Sequence, residues 1–450
     1  MTKKAEIVVV GGGPAGAAAA FTLGKNGVET ILVDKKPKDK IGDKVCGDAL
    51  SSMYPQKANE MIGLPLPNPE TGELKEIINE SILQGKSPTS KIILANQSTT
   101  VDRLEYGQAL IREVEKFPHV EIIADSKLKQ VIVEDNFITG VLIHHRDQGE
   151  IKIDCKLVID ASGSSGVVRS RLPESMLDKF PKKIPREEMI VAYREIIRTP
   201  EPHDYQKGMY LLYEPELKMP GYYWVFSRGK YEANIGLGWM IYDENRGTDI
   251  REVNRIIRER RFPNAEVLVS GGDQIPARLP LPSCVHNGFM ATGDAAALAN
   301  PLNGEGHGPA LISGIKAAKI ATEAVSNGDV SEENLWGYNT WIWENYGVEF
   351  SFGIAIVKFI NKYGFDTFNW LMEKNIIQED DIMTIVQDHS PDLNLVRRAL
   401  RGWYRPNVLW SLRKVMKNIS DIQEHARNYP EVDNFQQWFE KLQKLEDQSV

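Results

Sequence analysis

Residues Ala5–Asp34 read AEIVVVGGGPAGAAAAFTLGKNGVETILVD. Ile7 to Val10 form an unbroken apolar run, as expected of a strand buried on both faces of a parallel sheet. Gly11, Gly13 and Gly16 follow in the spacing GxGxxG, and then comes an alanine-rich stretch of high helix propensity. A second apolar run, Thr30 to Val33, ends on Asp34. The whole reads as a strand–turn–helix–strand unit of about 30 residues. Gly11 allows the tight turn, Gly13 lets the main chain approach a pyrophosphate, and Gly16 lets the helix lie close to the strand. The helix N-terminus offers unpaired N–H groups and partial positive charge to phosphates. Asp34 can accept hydrogen bonds from a ribose diol.

The chain outside this unit is too long, at 450 residues, for one ordinary core. Its composition, 42% hydrophobic and 26% charged, is that of a globular protein, and the net charge of −8 argues against a general nucleic-acid binder. The cysteines Cys46, Cys155 and Cys284 are too scattered for a disulfide framework or a zinc site, which points to a reducing compartment. With no signal peptide ahead of the first strand and no apolar run long enough to cross a bilayer, a cytoplasmic protein is expected, attached at most to a membrane surface.

Beyond Asp34 comes a basic loop, Lys35 to Lys44, and then Val45-Cys46-Gly47-Asp48, where a glycine after a cysteine suggests tight packing. Pro65 to Glu73 reads as a connector, and Ile77 to Leu83 and Lys91 to Asn96 as short strands. Val101 to Phe117 has a helical apolar face, with Asp102 placed to cap it. Arg103 sits in the first turn, where a cation is unfavourable unless an anion lies nearby. Val120 to Ala124 is a further strand, and Leu128 to Glu134, Thr139 to His145 and Glu150 to Cys155 alternate as an antiparallel meander. His144 and His145 face opposite ways on it and read as surface residues, not metal ligands. Leu157 to Asp160 then runs into ASGSSGVVRSRL, a second glycine-rich turn before a helix.

Between Pro173 and Pro282, Met189–Ile196, Met209–Tyr213, Gly221–Phe226 and Ala233–Trp239 predict an antiparallel sheet. Tyr222, Trp224 and Phe226 share one face, as core or as the wall of an apolar pocket. A third strand–glycine–helix junction spans Gly288 to Gly314, where Gly293-Asp294 ends a strand and Gly304, Gly306 and Gly308 crowd His307. Close backbone approach to a planar ligand suits such a stretch. From Ser331 the chain reads as helical. Arg397, Arg398, Arg401, Arg405, Arg413, Lys414 and Lys417 lie among Trp403 and Trp410, a solvated basic face or a surface for anionic headgroups.

The order of GGGPAG, Asp34, Arg103, Asp160-Ala161-Ser162-Gly163 and Gly293-Asp294 resembles the hydroxylase-like FAD fold over residues 5 to about 325. Within that superfamily the chain is similar to the geranylgeranyl reductases, most like the archaeal prenyl-lipid reductases. Val45-Cys46-Gly47 resembles their cysteine–glycine loop, GDAAALANPLNGEG (Gly293–Gly306) their second flavin-binding segment, and Tyr222, Trp224, Phe226, Gly236 and Gly238 their YxWxFP…GxG motif. Ser227 stands where that motif has proline. Ser162 stands where hydroxylases carry an aspartate linked to FAD and NADPH binding, which leaves the electron donor open.

The resemblance implies an α/β fold with a Rossmann-type, p-hydroxybenzoate hydroxylase-like FAD-binding domain (1–75, 100–172 and 283–330). An antiparallel-sheet substrate domain (76–99 and 173–282) and a helical C-terminal domain (331–450) complete it. It places Gly11, Gly13, Pro14, Ala15 and Gly16 at the pyrophosphate, Asp34 and Lys35 at the adenosine ribose, and Ala124 at the adenine. Arg103 falls at the phosphate or ribityl region, Val45, Cys46, Gly47, Asp48 and Asp294 along the ribityl chain and ring, and Gly304, Gly306 and His307 along the isoalloxazine. Asp160 and Gly163 join the cofactor set, and Tyr222, Trp224 and Phe226 line the substrate tunnel. The implied reaction saturates isolated double bonds of geranylgeranyl chains. Its substrate is geranylgeranyl diphosphate or a digeranylgeranyl glycerophospholipid, its donor ferredoxin, a reduced flavin or NADPH, and Cys46 is the candidate proton source or flavin partner. The rival readings are an FAD monooxygenase for an apolar substrate and a prenyl-lipid carrier that retains FAD structurally.

Overall fold

The computed structural model describes residues 1–243, 247–378 and 404–448. The chain begins with a short strand, β1 (Thr2–Lys4), followed by β2 (Ile7–Val10), helix α1 (Pro14–Lys25) and β3 (Thr30–Val33). After β4 (Ala49–Ser51) and α2 (Met53–Ile62) come the long strands β5 (Leu74–Gln84) and β6 (Lys91–Val101), then α3 (Arg103–Val114) and β7 (Val120–Ile123). A meander of β8 (Ser126–Glu134), β9 (Phe137–His145) and β10 (Gly149–Asp154) leads to β11 (Leu157–Asp160). Strands β12 (Met189–Arg198), β13 (Met209–Leu212), β14 (Gly221–Ser227) and β15 (Glu232–Met240) precede α4 (Ile250–Arg261) and β16 (Glu266–Pro276). The chain returns through β17 (Val285–His286), β18 (Phe289–Ala291) and α5 (His307–Asn327). The remaining described residues are largely helical. They form α6 (Glu332–Leu335), α7 (Gly337–Ile342), a π-helical turn at Trp343–Gly347, α8 (Val348–Tyr363), α9 (Phe365–Glu373), α10 (Pro406–Arg427) and α11 (Phe435–Asp447).

The opening unit sits in a six-stranded sheet of order β17-β18-β11-β2-β3-β7, parallel except for β17. Val8 and Val9 are 0% exposed, because the sheet is covered by α1 and α5 and by the meander, which share one core with it. Each such side chain contributes about 1.5–3 kcal/mol. The alanines Ala17 to Ala20 are buried as well, since α1 is pressed between the sheet and α5. A side chain at Gly314 would meet the Ala15 carbonyl oxygen at 2.2 Å, so only small residues let α1 and α5 approach this closely.

The meander pairs with β1 in a second sheet, order β1-β10-β9-β8. The third sheet has eight strands in the order β16-β12-β15-β14-β13-β5-β6-β4. It draws β5 and β6 from between α2 and α3 and joins β5 to β13 in its one parallel pairing among the described residues. Period-two alternation sorts β14 into two faces. Tyr223 and Val225 pack with Ile235, Leu237 and Ile257 beneath α4. Tyr222, Trp224 and Phe226 face the other way.

Several sequence expectations change here. The ASGSSGVVRSRL segment forms 3-10 turns at Gly163–Ser165 and Arg169–Arg171 instead of leading into a helix. Asp160 holds them, its carboxylate accepting from the amides of Ser162, Val168 and Arg169, which draws the chain into a turn around the side chain. The expected short strands are eleven residues each, because their polar ends still pair across the hairpin. Strand β1 and edge strand β16 carried too little periodic signal to be anticipated, whereas α4, with Ile250, Val253 and Ile257 at helical spacing behind the cap Asp249, was legible and was missed. β16 exposes most of its residues. Asp102 caps α3, accepting from Leu104 N and Glu105 N at 3.2 and 3.3 Å. His144 is exposed and His145 half-buried on β9. All three cysteines are free thiols. Among the described residues no helix is long and apolar enough to cross a membrane.

Candidate active site

The carboxyl ends of β2, β3 and β11 meet the inner face of the eight-stranded sheet around one cavity of about 690 Å³. The parallel sheet supplies its polar end. Gly11 adopts φ +106°, and a Cβ there would lie 2.4 Å from the Ala161 carbonyl oxygen. A Cβ at Gly16 would lie 1.7 Å from the Gly11 oxygen. At Gly13 nothing lies within 4 Å, and the residue faces the cavity. Helix α1 starts at Gly13 with no side-chain cap and no acidic residue in its first turn, so its N-terminus stays free for an anion. Asp34 lines the same end, its Oδ2 accepting from Gly12 N at 2.6 Å and its Oδ1 from Lys36 N at 2.8 Å.

Toward the middle of the cavity Val45, Cys46 and Gly47 cross from one domain to the other. Cys46 Sγ accepts from Arg103 Nη1 at 3.1 Å and from Asp48 N at 3.2 Å. Burial pushes the thiol pKa up, against the opposing pull of Arg103, so Cys46 stays protonated at neutral pH. Asp48 has φ +63° and turns its carboxylate away from the cavity. It accepts from Arg228 Nη1 at 2.8 Å and from Asn234 Nδ2 at 2.8 Å. Asn234 also donates to the Cys46 carbonyl at 3.0 Å and accepts from Trp224 Nε1 at 2.9 Å. One buried amide therefore ties the cysteine loop to the aromatic strand.

The apolar end is the face of β14. Trp224 and Phe226 stack with ring centroids 6.2 Å apart and planes at 21°. Trp224 fills the space left by Gly236 on β15, where a Cβ would fall 2.4 Å from its Cζ2. Phe226 lies over Gly47, whose Cβ would fall 2.8 Å from Phe226 Cε2. Ile190, Met209, Leu211 and Trp239 extend the wall.

The glycine-dense junction before α5 closes the cavity. Burial alone would depress the Lys44 ammonium, but the Asp294 carboxylate at 2.5 Å holds its pKa above the ordinary lysine value. His307 is 8% exposed, its Nδ1 has no partner, and burial lowers its pKa well below the ordinary value, with Arg103 and Lys44 adding to this. The ring is therefore neutral, and Nδ1 is a buried polar atom without a protein partner. Glu305, on the same loop, is pushed up to about 7 by burial.

The cavity wall thus collects Gly11, Gly13, Pro14, Ala15, Asp34, Lys35, Val45, Cys46, Gly47, Arg103, Gly163, Asp294, Gly304, Gly306, His307, Tyr222, Trp224 and Phe226. Gly16, Asp48, Ala124 and Asp160 stand outside it. Gly16 spaces α1, Asp48 and Asp160 anchor loops through their carboxylates, and Ala124 offers its carbonyl to Ser126 Oγ at 2.9 Å. Sequence reasoning missed Asn234, Lys44, Glu305 and Arg194. Arg194 is a cavity-lining guanidinium 6% exposed, with Nε and Nη1 unpartnered. A polar residue amid apolar strand residues was the available signal for Asn234 and Arg194. Arg397, Arg398, Arg401 and Trp403 lie outside the described residues. An open cradle at Gly13, the orphaned His307 Nδ1 and a cleft joining polar and apolar ends fit a flavin nucleotide.

Residues 6–183 match the family described as glucose inhibited division protein A. A geranylgeranyl bacteriochlorophyll reductase-like protein from Thermoplasma acidophilum shares the fold, with TM-score 0.71 and 22% identity over 92% of this chain and 99% of that one. So does the flavin-dependent brominase Bmp2, with TM-score 0.68 and 16% identity over 90% and 100% of the two chains. The digeranylgeranylglycerophospholipid reductase of Sulfolobus acidocaldarius is 32% identical over 437 residues, 95% of this chain and 94% of that protein. Fold, cavity and full-length similarity agree, and the chain belongs to the digeranylgeranylglycerophospholipid reductase family.

Proposed function

We propose that the protein is an FAD-dependent reductase that saturates isolated double bonds of geranylgeranyl chains, acting on digeranylgeranyl glycerophospholipids or geranylgeranyl diphosphate. The observation that carries this reading is the single cavity running from the α1 N-terminus to the aromatic face of β14. Gly13, Ala15 and the free end of α1 would hold a pyrophosphate, and Asp34 and Lys35 the adenosine ribose. Asp294, Gly304, Gly306 and His307 would hold the ring side, with Arg103 and Cys46 facing them. Once bound and reduced, the flavin supplies hydride to the alkene.

An isolated alkene has no carbonyl to take up negative charge, so a proton must arrive at one carbon as hydride reaches the other. Tyr222, Trp224 and Phe226 would guide the prenyl chain and exclude water. Cys46 fits the part of flavin partner: its Sγ is held by Arg103 and Asp48, and its raised pKa makes it a weak acid. The electron donor would be ferredoxin, a reduced flavin or NADPH. Trp410 on α10 is 61% exposed with Lys414 Nζ 3.8 Å from its ring centroid, beside Arg413 and Lys417, which supports peripheral contact with anionic headgroups.

The test is anaerobic incubation of the chemically reduced, FAD-loaded protein with digeranylgeranyl glycerophospholipid, followed by mass spectrometry. A mass gain of one hydrogen molecule per double bond is expected. Unchanged lipid would refute the reading, as would a hydroxylated product formed with oxygen consumption in a parallel aerobic incubation.

A further inference from the structure

We propose that Glu305 delivers the proton to the prenyl double bond. This rests on the reductase reading above. Glu305 lies in the cavity wall between Gly304 and Gly306. Its Oε1 accepts from Ser51 N at 2.9 Å, which fixes the carboxyl across the gap between β4 and the α5 loop. Asn300 ties the Glu305 main chain to the Glu349 side chain. Its N–H donates to the Glu305 carbonyl at 2.9 Å, and its Nδ2 donates to Glu349 Oε1 at 3.0 Å.

The buried phenols of Tyr54 and Tyr346 lie in the field of both carboxyls, and Glu349 in turn feels the charge of Lys57, an exposed residue on α2. Acidic groups thus run from the cavity wall toward the surface. A second observation marks this loop as facing a ligand: Nδ1 of His307, two residues on, is buried in the same wall without a partner.

The acid strengths point the same way. Burial, with the Glu349 charge, lifts Glu305 to about 7, and burial raises Glu349 against the opposing pull of Asn300 and Lys57. Burial raises the Cys46 thiol above its ordinary value, so Glu305 is the stronger acid of the two. In the step, the π pair of the double bond forms a new C–H bond to the carboxyl proton of Glu305. Hydride from the reduced cofactor bonds to the other alkene carbon, and the O–H bond pair stays on Glu305 as carboxylate. Water reprotonates Glu305, so each double bond consumes one hydride and one proton.

The experiment uses FAD-loaded protein reduced anaerobically with dithionite and mixed with digeranylgeranyl glycerophospholipid, with flavin reoxidation followed from about pH 5 to about pH 9. Wild-type reoxidation should be fast at low pH and fall as pH rises through about 7, because only protonated Glu305 can act. Glu305→Gln keeps an acceptor for Ser51 N–H, yet should slow reoxidation by about 100-fold or more and lose that limb of the profile. Glu305→Asp should recover part of the rate together with a pH limb. Infrared difference spectra of the resting protein between about pH 6 and about pH 8 supply a readout separate from turnover. A protonated-carboxyl band should titrate in the wild type and vanish in Glu305→Gln. Reoxidation of Glu305→Gln at the wild-type rate, or an unchanged carboxyl band, would overturn the inference alone. A wild-type protein that the lipid does not reoxidise would overturn the reductase reading and the inference with it.

Discussion

Replacing Asn234 with leucine should loosen the whole centre of the cavity. Asn234 is 0% exposed and serves three partners: Trp224 Nε1 at 2.9 Å, the Cys46 carbonyl at 3.0 Å and Asp48 Oδ2 at 2.8 Å. Leucine fills a similar volume and satisfies none of them. Trp224 Nε1 and the Cys46 carbonyl would lose their partner, at about 1–3 kcal/mol each. Asp48 would lose a charge-assisted bond while keeping Arg228 Nη1 at 2.8 Å. With about 1.5 kcal/mol for the bond to the charged Asp48, the lower ends give a loss of roughly 3.5 kcal/mol. Urea unfolding followed by circular dichroism measures it. A double-mutant cycle with Trp224→Phe, which removes the Nε1–H donor, should return a coupling of about 1 kcal/mol. The flavin should also bind more weakly, because the Cys46–Gly47 loop has lost its anchor. A loss below about 1 kcal/mol together with additive single variants would refute the claim that this amide holds the loop to the aromatic strand.

Other outcomes follow from neighbouring geometry. Gly13→Ala meets nothing within 4 Å, so apo stability should change by less than about 0.5 kcal/mol while FAD affinity drops in a fluorescence titration. Gly16→Ala, whose Cβ would fall 1.7 Å from the Gly11 oxygen, should instead yield little folded protein by circular dichroism. Glu305 binds its proton more tightly in the folded chain than its ordinary 4.5, so the FAD-free protein should lose stability as pH rises from there through about 7. The full loss is about 3 kcal/mol, and Glu305→Gln should flatten that slope of the urea midpoint against pH. Cys46→Ser should keep most prenyl reduction in the mass-spectrometric assay, since the thiol is the weaker acid; complete loss would return the proton-donor role to Cys46.

The polar half of the cavity was legible in the chain because its determinants are local. Gly11, Gly13, Gly16 and Asp34 fall within one strand–turn–helix–strand unit, and the glycine spacing follows from main-chain sterics that no distant residue alters. Asp102 could be read as a cap for the same reason, since the N–H groups that donate to it lie two and three residues on. Period-two alternation likewise set Tyr222, Trp224 and Phe226 on one face. Whether that face was core or cavity wall depended on what packs against it, and Gly47, some 180 residues earlier in the chain, answers that by lying under Phe226. The partnership of Asn234 with Cys46, and of Lys44 with Asp294, spans similar separations. The acidity of Glu305 needs both the burial that the closed cavity imposes and a second carboxyl on a helix of the C-terminal region. Sequence alone determined the glycine turn and the uncapped start of α1, because backbone geometry within a few residues decides them. Only the tertiary structure decided which side chains meet around the reacting centre, because proximity and burial there arise from segments that the chain order keeps far apart.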